Sequence, residues 1–298
     1  MSFTSVSHPV TGPRKNRELR HWHRYRRHED SHWLVDVAIG RIIQKHVLNS
    51  PLGSGLDQAF LGQIADAVGR MERLPIGIGI CELVDTSGNI ASQRKFFWSS
   101  ADVRRAFDFA PSVEIESDVR AAAIAGGRFG AGVGLDHWIN VNAGTGIATV
   151  LMQRDKPYVG ACGLGMAFGM SPTSLDSNKT QPTIEDLAGA RGMLKIARAS
   201  KLEAETLQDL IIAAPRILEA GGQVLGRAIA MLANMLAPQT IVLGGGVGLS
   251  SSAFCSAFKR AFHSTVWFGE LCEPEIVTAK LNVDSGLIGA ALVGAGSR

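Results

Sequence analysis

The stretch VEIESDVRAAAIAGGRFGAG at residues 113–132, followed by WINVNAGTGIATVLM at 138–152, decides the fold class. Its first part predicts a strand that ends near Ser117, a turn into Asp118, and an alanine-rich helix that ends in glycines. Its second part predicts two strands joined through Gly144–Gly146 as a β-hairpin. A strand, a helix and a hairpin in close succession are typical of an α/β protein.

The same alternation of strands and helices extends outward in both directions along the chain. Residues 160–182, rich in glycine, serine and proline, interrupt it and predict a long loop. The other predicted elements are, in chain order, a hairpin around Gly40 over 33–48, a helix over 56–71, a buried strand over 74–85, mainly helix over 183–236, strands at 240–247 and 275–281, and a closing helix over 286–295.

Length and composition favour two folded domains or one large one. The chain has 298 residues, against roughly 150 for a common domain. Apolar residues make up 46% and charged residues 19%, so the chain has enough apolar surface to offset the entropy of ordering. Intrinsic disorder of the whole chain is therefore excluded.

The net charge of +3 is unevenly distributed along the sequence. Residues 1–33 hold seven Lys or Arg residues against three acids, a balance of +4, and five of the eight histidines. The other 265 residues therefore sum to −1. The basic residues of this segment are Arg14, Lys15, Arg17, Arg20, Arg24, Arg26 and Arg27.

The cysteines and the apolar stretches give no sign of a metal motif, a leader or a membrane span. The four cysteines lack any CxxC spacing, which favours a reduced, cytoplasmic setting. The first thirty residues lack an apolar region, so no signal peptide is expected. Nothing between Arg227 and Lys259 is charged, but Pro238 and Gly244–Gly246 interrupt this stretch, which predicts a buried helix, a turn and a strand. The cysteines are Cys81, Cys162, Cys255 and Cys272.

Two glycine turns and two acids are the candidates for chemistry. Glycines at Gly144–Gly146 and Gly244–Gly246 let backbone N–H groups approach a phosphate or a nucleoside, although a tight turn explains the first equally simply. Asp118 lies where a strand meets a helix, so it is either a helix cap or a reactive carboxylate. Glu185 lies in a first helical turn, where the helix dipole alone favours an acid.

The order of these motifs along the chain makes them more specific as a set than any one of them is alone. IGIGICELVD, VEIESDVRAAA, NVNAGTGIATVLM, GACGLGMAFGM, LGRAIAMLANMLAPQTIVLGGGV and DSGLIGAAL follow one another along the chain. The series resembles the ROK family of bacterial sugar kinases, repressors and related open reading frames over about residues 34–298. The resemblance implies an actin-like ATPase (ribonuclease H-like) fold, an α/β fold of two lobes with an interdomain cleft. We assign residues 34–127 plus 285–298 to a small lobe, 128–284 to a large lobe, and 1–33 to a poorly ordered segment.

The resemblance also implies roles for individual residues. Asp118, in the position of the family's catalytic Asp, is expected to accept the proton of a sugar hydroxyl that attacks the γ-phosphate of Mg²⁺-bound ATP. Gly144, Thr145 and Gly146 match the second phosphate loop. Gly244, Gly245 and Gly246 match the adenosine-side motif. Ser117, Asp118 and Glu185 are the expected sugar contacts.

Several positions depart from the family pattern. Cys81 and Glu82 replace a Pro-Gly pair, and a Glu side chain fills space that a glycine leaves open. The family motif GExGH, whose Glu and His contact the sugar, is Met166–Met170 here and loses both polar groups. The cysteine-rich zinc motif expected over 171–184 is absent, so we predict no zinc.

The first phosphate loop of the family, GIDIGGTKI, is expected at about residues 21–31 but is missing. Residues 21–30 read HWHRYRRHED. Suitable codons for these residues, read one base later, translate as IGIDIGGTK. We therefore interpret the segment as a phosphate loop read out of frame, with a second shift near Trp33. A nucleic-acid-binding arm is the alternative interpretation, and 33 residues are too few for the winged-helix domain of ROK repressors.

Two functions remain open from the sequence. The first is an ATP- and Mg²⁺-dependent kinase for a hexose or aminosugar, and the second is a non-catalytic sugar or nucleotide sensor on the same scaffold. The kinase is our main interpretation, and the sensor is the alternative that the replaced sugar-contacting residues and the missing loop favour. We expect small-molecule partners, a homodimer, and neither a membrane nor a nucleic-acid partner.

Overall fold

The computed structural model describes residues 5–9, 29–49, 58–69, 74–165, 167–174, 181–267, 269–281 and 284–296. The chain divides into two compact units. The first unit comprises Met1–Ala125, Val159–Leu164 and Asp284–Arg298, and the second comprises Gly126–Tyr158 and Gly165–Val283. The segment Val159–Leu164 thus belongs to the first unit, although the sequence prediction placed it in the large lobe.

A mixed five-stranded sheet forms the centre of the first unit, in the order β3-β2-β1-β4-β5. Strands β4 and β5 run parallel, and β2 and β3 form the predicted hairpin around Gly40. The strands are β1 Ser5–Pro9, β2 Glu29–Asp36, β3 Arg41–Asn49, β4 Ile76–Ile80 and β5 Val113–Ser117. The helices of this unit are α1 Gln58–Gly69, α2 Ser100–Ala106, the start of α3 Asp118–Phe129, and α11 Ser285–Gly294.

Two stretches of the basic N-terminal segment form strands, although the sequence predicts poor order for residues 1–33. Ser5–Pro9 pairs in parallel with β2 and antiparallel with β4, so it occupies the middle of the sheet. Parallel neighbours need a crossover connection. Residues 10–28, which include most of the out-of-frame phosphate loop proposed at 21–30, lie outside the described residues, whereas Glu29 and Asp30 begin β2.

The core of the first unit lies between its sheet and its helices. Phe96 and Trp98 stack with their ring centroids 4.7 Å apart, and both are fully buried. Helix α11 contacts β4 so closely that a Cβ at Gly77 would collide with the carbonyl of Ala290. Strand β4 is buried along its whole length, and β5 is buried over its last three residues, where the two strands end.

The second unit is built on another five-stranded sheet, in the order β10-β9-β6-β7-β8. Strand β6 pairs antiparallel with β7, which confirms the hairpin, and parallel with β9. The strands are β6 His137–Ala143, β7 Ile147–Gln153, β8 Lys156–Pro157, β9 Thr240–Gly244 and β10 Glu275–Thr278. The helices are α4 Ile184–Ala188, α5 Ala190–Ala199, α6 Leu207–Ala213, α7 Pro215–Leu236, α8 Gly245–Ser250, α9 Ser252–His263 and α10 Gly269–Cys272.

Helix α7 and strand β9 confirm the predicted helix, turn and buried strand in the uncharged stretch after Arg227, but the helix is only half-buried, because Met231 and Met235 are exposed. The helix begins at Pro215 and ends at Leu236, and it is followed by the C-cap Ala237, whose backbone is left-handed with φ 44°. Strand β9 follows and is buried at every residue. No helix in the described parts of the chain has both the length and the apolarity needed to cross a bilayer.

Candidate active site

Asp118 lies at the edge of the first unit where two parallel strands end together. Ile80 of β4 pairs with Ser117 of β5, so the residues that follow them, Cys81 and Asp118, lie side by side. Asp118 is also the first residue of α3, and its Oδ1 accepts the backbone N–H of Val119 at 2.8 Å. The carboxyl ends of parallel strands are the usual place for ligands in α/β proteins.

The surroundings of Asp118 suit a proton acceptor at neutral pH. The residue keeps part of its surface accessible. Burial of the carboxyl raises the pKa of Asp118 from 3.8 to about 6, against the opposing effects of the Lys95 charge, the Val119 N–H group and the Cys81 thiol. A carboxylate with a pKa close to the working pH combines basicity with a large ionised fraction.

Ser117, predicted as a sugar contact, is buried beside Asp118. Its Oγ lies 3.4 Å from the backbone nitrogen of Arg120, as an acceptor at the start of α3. Its exposed fraction is 8%. The hydroxyl therefore has a structural partner, and its contact with a sugar stays a prediction.

A buried ion pair fixes the start of α3, and the sequence analysis missed it. Arg120 donates from Nε to Oε1 of Glu116, four residues earlier on β5, at 2.6 Å. Its two other nitrogens donate to the carbonyls of Val84 and Gly163 at 2.7 and 2.6 Å. All guanidinium nitrogens thus have partners, so the buried charge is compensated. Through Gly163, Arg120 binds Val159–Leu164 to the first unit.

The side chain of Glu82 is buried and organises the loop that follows. It is 6% exposed and accepts hydrogen bonds from Ser92 Oγ and from the backbone N–H groups of Arg94, Lys95 and Phe96. Burial alone would raise the pKa of Glu82, but these hydrogen bonds together lower it. Glu82 therefore stabilises the loop over 92–96.

The two glycine turns of the second unit lie next to each other. Strands β6 and β9 are parallel, with Asn142 opposite Gly244, so both turns leave the same edge of the sheet. A Cβ added to Gly144 would lie 3.7 Å from Asn142 Oδ1 and 4.0 Å from the backbone nitrogen of Gly246. Asn142, which the sequence analysis did not single out, thus lies beside both turns.

The fold requires glycine at some of these positions and not at others. A side chain at Gly146 would collide with Glu185, and Gly245 has φ +84° and no space beside Asn142. An added Cβ at Gly244 would lie 3.0 Å from Ala279 Cβ. At Gly144 and Gly246, however, an added Cβ would make only ordinary contacts, and neither residue has a left-handed backbone. Packing and backbone conformation therefore do not require glycine at those two positions.

Glu185 packs against the first glycine turn in the second unit. Its Oε2 accepts the backbone N–H of Ile147 at 2.9 Å, directly after Gly146. Ala190 and Arg191 donate their N–H groups to the carbonyls of Gly144 and Thr145, at 2.9 and 3.1 Å. Helices α4 and α5 therefore hold the turn in place, and the sugar contact predicted for Glu185 stays a prediction.

The segment that replaces the family's GExGH motif is short and locally packed. Phe168–Met170 forms a 3-10 helix, and Met170 is 50% exposed, while Met166 lies outside the described residues. Among the residues that the structure describes, no three His, Cys, Asp or Glu side chains are grouped closely enough to hold a metal ion. Part of the 171–184 segment, residues 175–180, lies outside that description.

Comparison with known proteins decides the family. The ROK family model matches residues 39–295. The chain belongs to the ROK family. Its curated relatives include the bifunctional enzyme NanE/NanK of Brucella suis biovar 1 (strain 1330), at 28% identity over 87% of this chain and 50% of that protein. The chain thus spans about half the length of this relative.

Solved structures of other ROK proteins share the fold. One is the ROK family glucokinase of Streptomyces griseus in complex with glucose and AMPPNP, with a TM-score of 0.74 and 22% identity over 88% of this chain and 94% of that chain. Another is a ROK family transcriptional regulator, a homologue of the E. coli MLC protein, with a TM-score of 0.74 and 15% identity over 99% of this chain and 78% of that chain. The predicted α/β fold of the actin-like ATPase class is confirmed.

Proposed function

We propose that this ROK protein transfers the γ-phosphoryl group of ATP to a hydroxyl of a hexose or aminosugar. The observation that carries the proposal is Asp118, a partly accessible carboxylate at the end of β5 with a pKa of about 6. Phosphoryl transfer to an alcohol needs a group that accepts the hydroxyl proton as the new bond forms. Family membership supports the same reaction class.

The glycine turns of the second unit fit a nucleotide. The open sides of Gly144 and Gly246 would allow a phosphate to approach the backbone, with Thr145 and Gly146 beside it and Gly244 and Gly245 toward the adenosine. Bound ATP would supply the activated phosphoryl group. A magnesium ion commonly relies on the phosphates of the substrate for much of its coordination, so we assign no protein ligand to it.

Asp118 would orient the sugar hydroxyl and accept its proton. The Val119 N–H group holds Oδ1, and the charge of Lys95 favours the ionised carboxylate. Gly144–Gly146, held by α5, would keep the phosphates in a fixed position, which lowers the entropic cost of reaction.

Purified protein should release ADP from ATP in a coupled assay when a panel of hexoses and aminosugars is supplied. Asp118→Asn should bind ATP with unchanged affinity in calorimetry and lose sugar-dependent ADP release by about 10²–10⁴-fold. Full activity of Asp118→Asn on a sugar that the natural protein phosphorylates would refute the role of Asp118.

A second candidate is a non-catalytic sugar or nucleotide sensor. The exposed Met170 favours it, because a thioether has no donor and is only a weak acceptor for a sugar hydroxyl. Saturable ATP binding without turnover on any sugar would support this candidate over the kinase.

A further inference from the structure

Three side chains of the first unit form a chain of contacts that ends on Asp118. Lys95 Nζ lies 2.8 Å from Cys81 Sγ. Cys81 and Asp118 directly follow the paired residues Ile80 and Ser117, so they lie next to each other at the ends of β4 and β5, and each shifts the pKa of the other. The kinase chemistry proposed above uses Asp118 and gives Cys81 and Lys95 no role of their own.

The donors that each group has available determine the direction of hydrogen bonding from Lys95 through Cys81 to Asp118. An ammonium group has only donors, so Lys95 must donate to the sulfur. The thiol has one hydrogen, which is then free to point to the carboxylate of Asp118. Burial, with the nearby charge of Asp118, raises the pKa of Cys81 to about 11, so the thiol keeps that hydrogen. Cys81 is therefore a neutral donor and a poor nucleophile.

The position of Lys95 is fixed by the loop that carries it. The carboxylate of Glu82 accepts the backbone N–H groups of Lys95 and of both its neighbours. Phe96, the next residue, is fully buried against Trp98. Glu82 thus directly follows Cys81 in the chain and anchors the backbone of Lys95, so the two ends of the Lys95–Cys81 contact are held together.

We propose that Lys95 and Cys81 are positioning residues for Asp118: the Lys95 ammonium donates to the Cys81 sulfur, and the Cys81 thiol donates to the Asp118 carboxylate. This inference rests on the proposed function, because it assigns the pair to the proton acceptor of that reaction. The thiol and the Val119 N–H group together fix the orientation of the carboxylate. Lys95 supplies the positive charge that offsets burial of the ionised form.

The test is a titration of the Asp118 carboxyl group by ¹³C NMR in the full chain, without substrate. Asp118→Asn assigns the signal. Among the described residues, the ionisable groups that face this carboxyl are Lys95 and Cys81, so the two can be removed one at a time. We expect Lys95→Met to raise the Asp118 midpoint by about one pH unit or more, and Cys81→Ala to raise it by about one unit.

Two variants serve as controls for this titration. Lys95→Arg keeps the charge and should restore most of the shift. Arg94→Met removes a charge from the exposed neighbour in the same loop and should leave the midpoint unchanged. If Lys95→Met does not fold, the Cys81→Ala titration alone tests the proposal, because this variant removes the thiol between Lys95 and Asp118 without removing a charge. An unchanged Asp118 midpoint in Cys81→Ala, or equal shifts in Lys95→Met and Arg94→Met, would overturn the proposal.

A kinase assay separates this inference from the proposed function. Where sugar-dependent turnover is found, the acid limb of kcat/KM should move with the NMR midpoint in each variant. Shifted midpoints in a protein without turnover would support the positioning role and refute the kinase. If the protein turns over a sugar but the acid limb of kcat/KM is the same in Lys95→Met, Cys81→Ala and the natural protein, the kinase is supported and the positioning role is refuted.

Discussion

Asp118→Asn should make the protein more stable while it removes the proposed activity. The folded protein holds this carboxyl at a pKa of about 6, whereas an exposed Asp has an ordinary value of 3.8. The folded state therefore binds its proton more tightly than the unfolded state does, and stability falls as the pH rises from about 4 to above 6. The difference corresponds to about 3 kcal/mol when Asp118 is fully ionised.

Asparagine imitates the protonated carboxyl and can still accept the Val119 N–H. We expect Asp118→Asn to raise the free energy of unfolding by about 3 kcal/mol at pH 8 and by about 1.5 kcal/mol at pH 5. Urea unfolding at the two pH values, followed by hydrogen exchange in peptides of β4 and β5, measures this gain in the first unit. The same preparation should have lost sugar-dependent ADP release.

Asp102→Asn is the matched control. Asp102 is a half-buried acid of the same unit that forms a capping box with Ser99 at the start of α2, and hydrogen bonds from the Ser99 side chain and backbone lower its pKa. Its replacement should give no stabilisation at pH 8 and leave turnover intact. A gain for Asp118→Asn that is equal at pH 5 and pH 8, or a loss of stability at pH 8, would refute the reasoning.

Three further results are expected from the rest of the chain. Gly144→Ala should fold with unchanged stability or with a gain of up to about 1 kcal/mol, yet weaken ATP binding in calorimetry. Gly245→Ala should destabilise the second unit, because the backbone there has φ +84° and an added Cβ has no space. Equal destabilisation by the two variants would contradict this distinction. Arg120→Met should lower stability by about 3–5 kcal/mol in urea unfolding, since it leaves Glu116 buried and unpaired, and Glu116→Gln added to it should restore part of that loss. Replacement of residues 21–29 by IGIDIGGTK should increase ATP affinity and turnover if that segment is an out-of-frame phosphate loop, and nucleotide sequencing that excludes the alternative frame would refute the hypothesis.

The stability of the first unit and its proposed chemistry make opposite demands on the same edge of the sheet. The buried Arg120–Glu116 pair and the Glu82 hydrogen bonds compensate their charges locally. Asp118 is less well compensated, since its pKa stays well above 3.8. Residues poised for acid–base chemistry commonly carry such a cost, because a fully paired carboxylate would be a weak base.

The elements around Asp118 and around Gly144–Gly146 could be predicted from the sequence, because they depend on short-range patterns, whereas β1 and α2 were not predicted. Strand periodicity, the turn at Ser117–Asp118 and the alanine-rich helix are contained within 113–132. The hairpin through Gly144–Gly146 follows from turn chemistry in the same way. The sequence of motifs also predicted the ROK family, which the family match over 39–295 confirms.

Only the tertiary structure decided what surrounds these motifs. Lys95 contacts Cys81 across 14 residues of chain, and Arg120 binds the carbonyl of Gly163 across 43. Such contacts depend on loop closure and burial, which no local pattern encodes. For the same reason, the sequence treated Glu82 as a carboxylate filling space and could not separate the glycines required by packing, such as Gly146, from those left open for a ligand, such as Gly144.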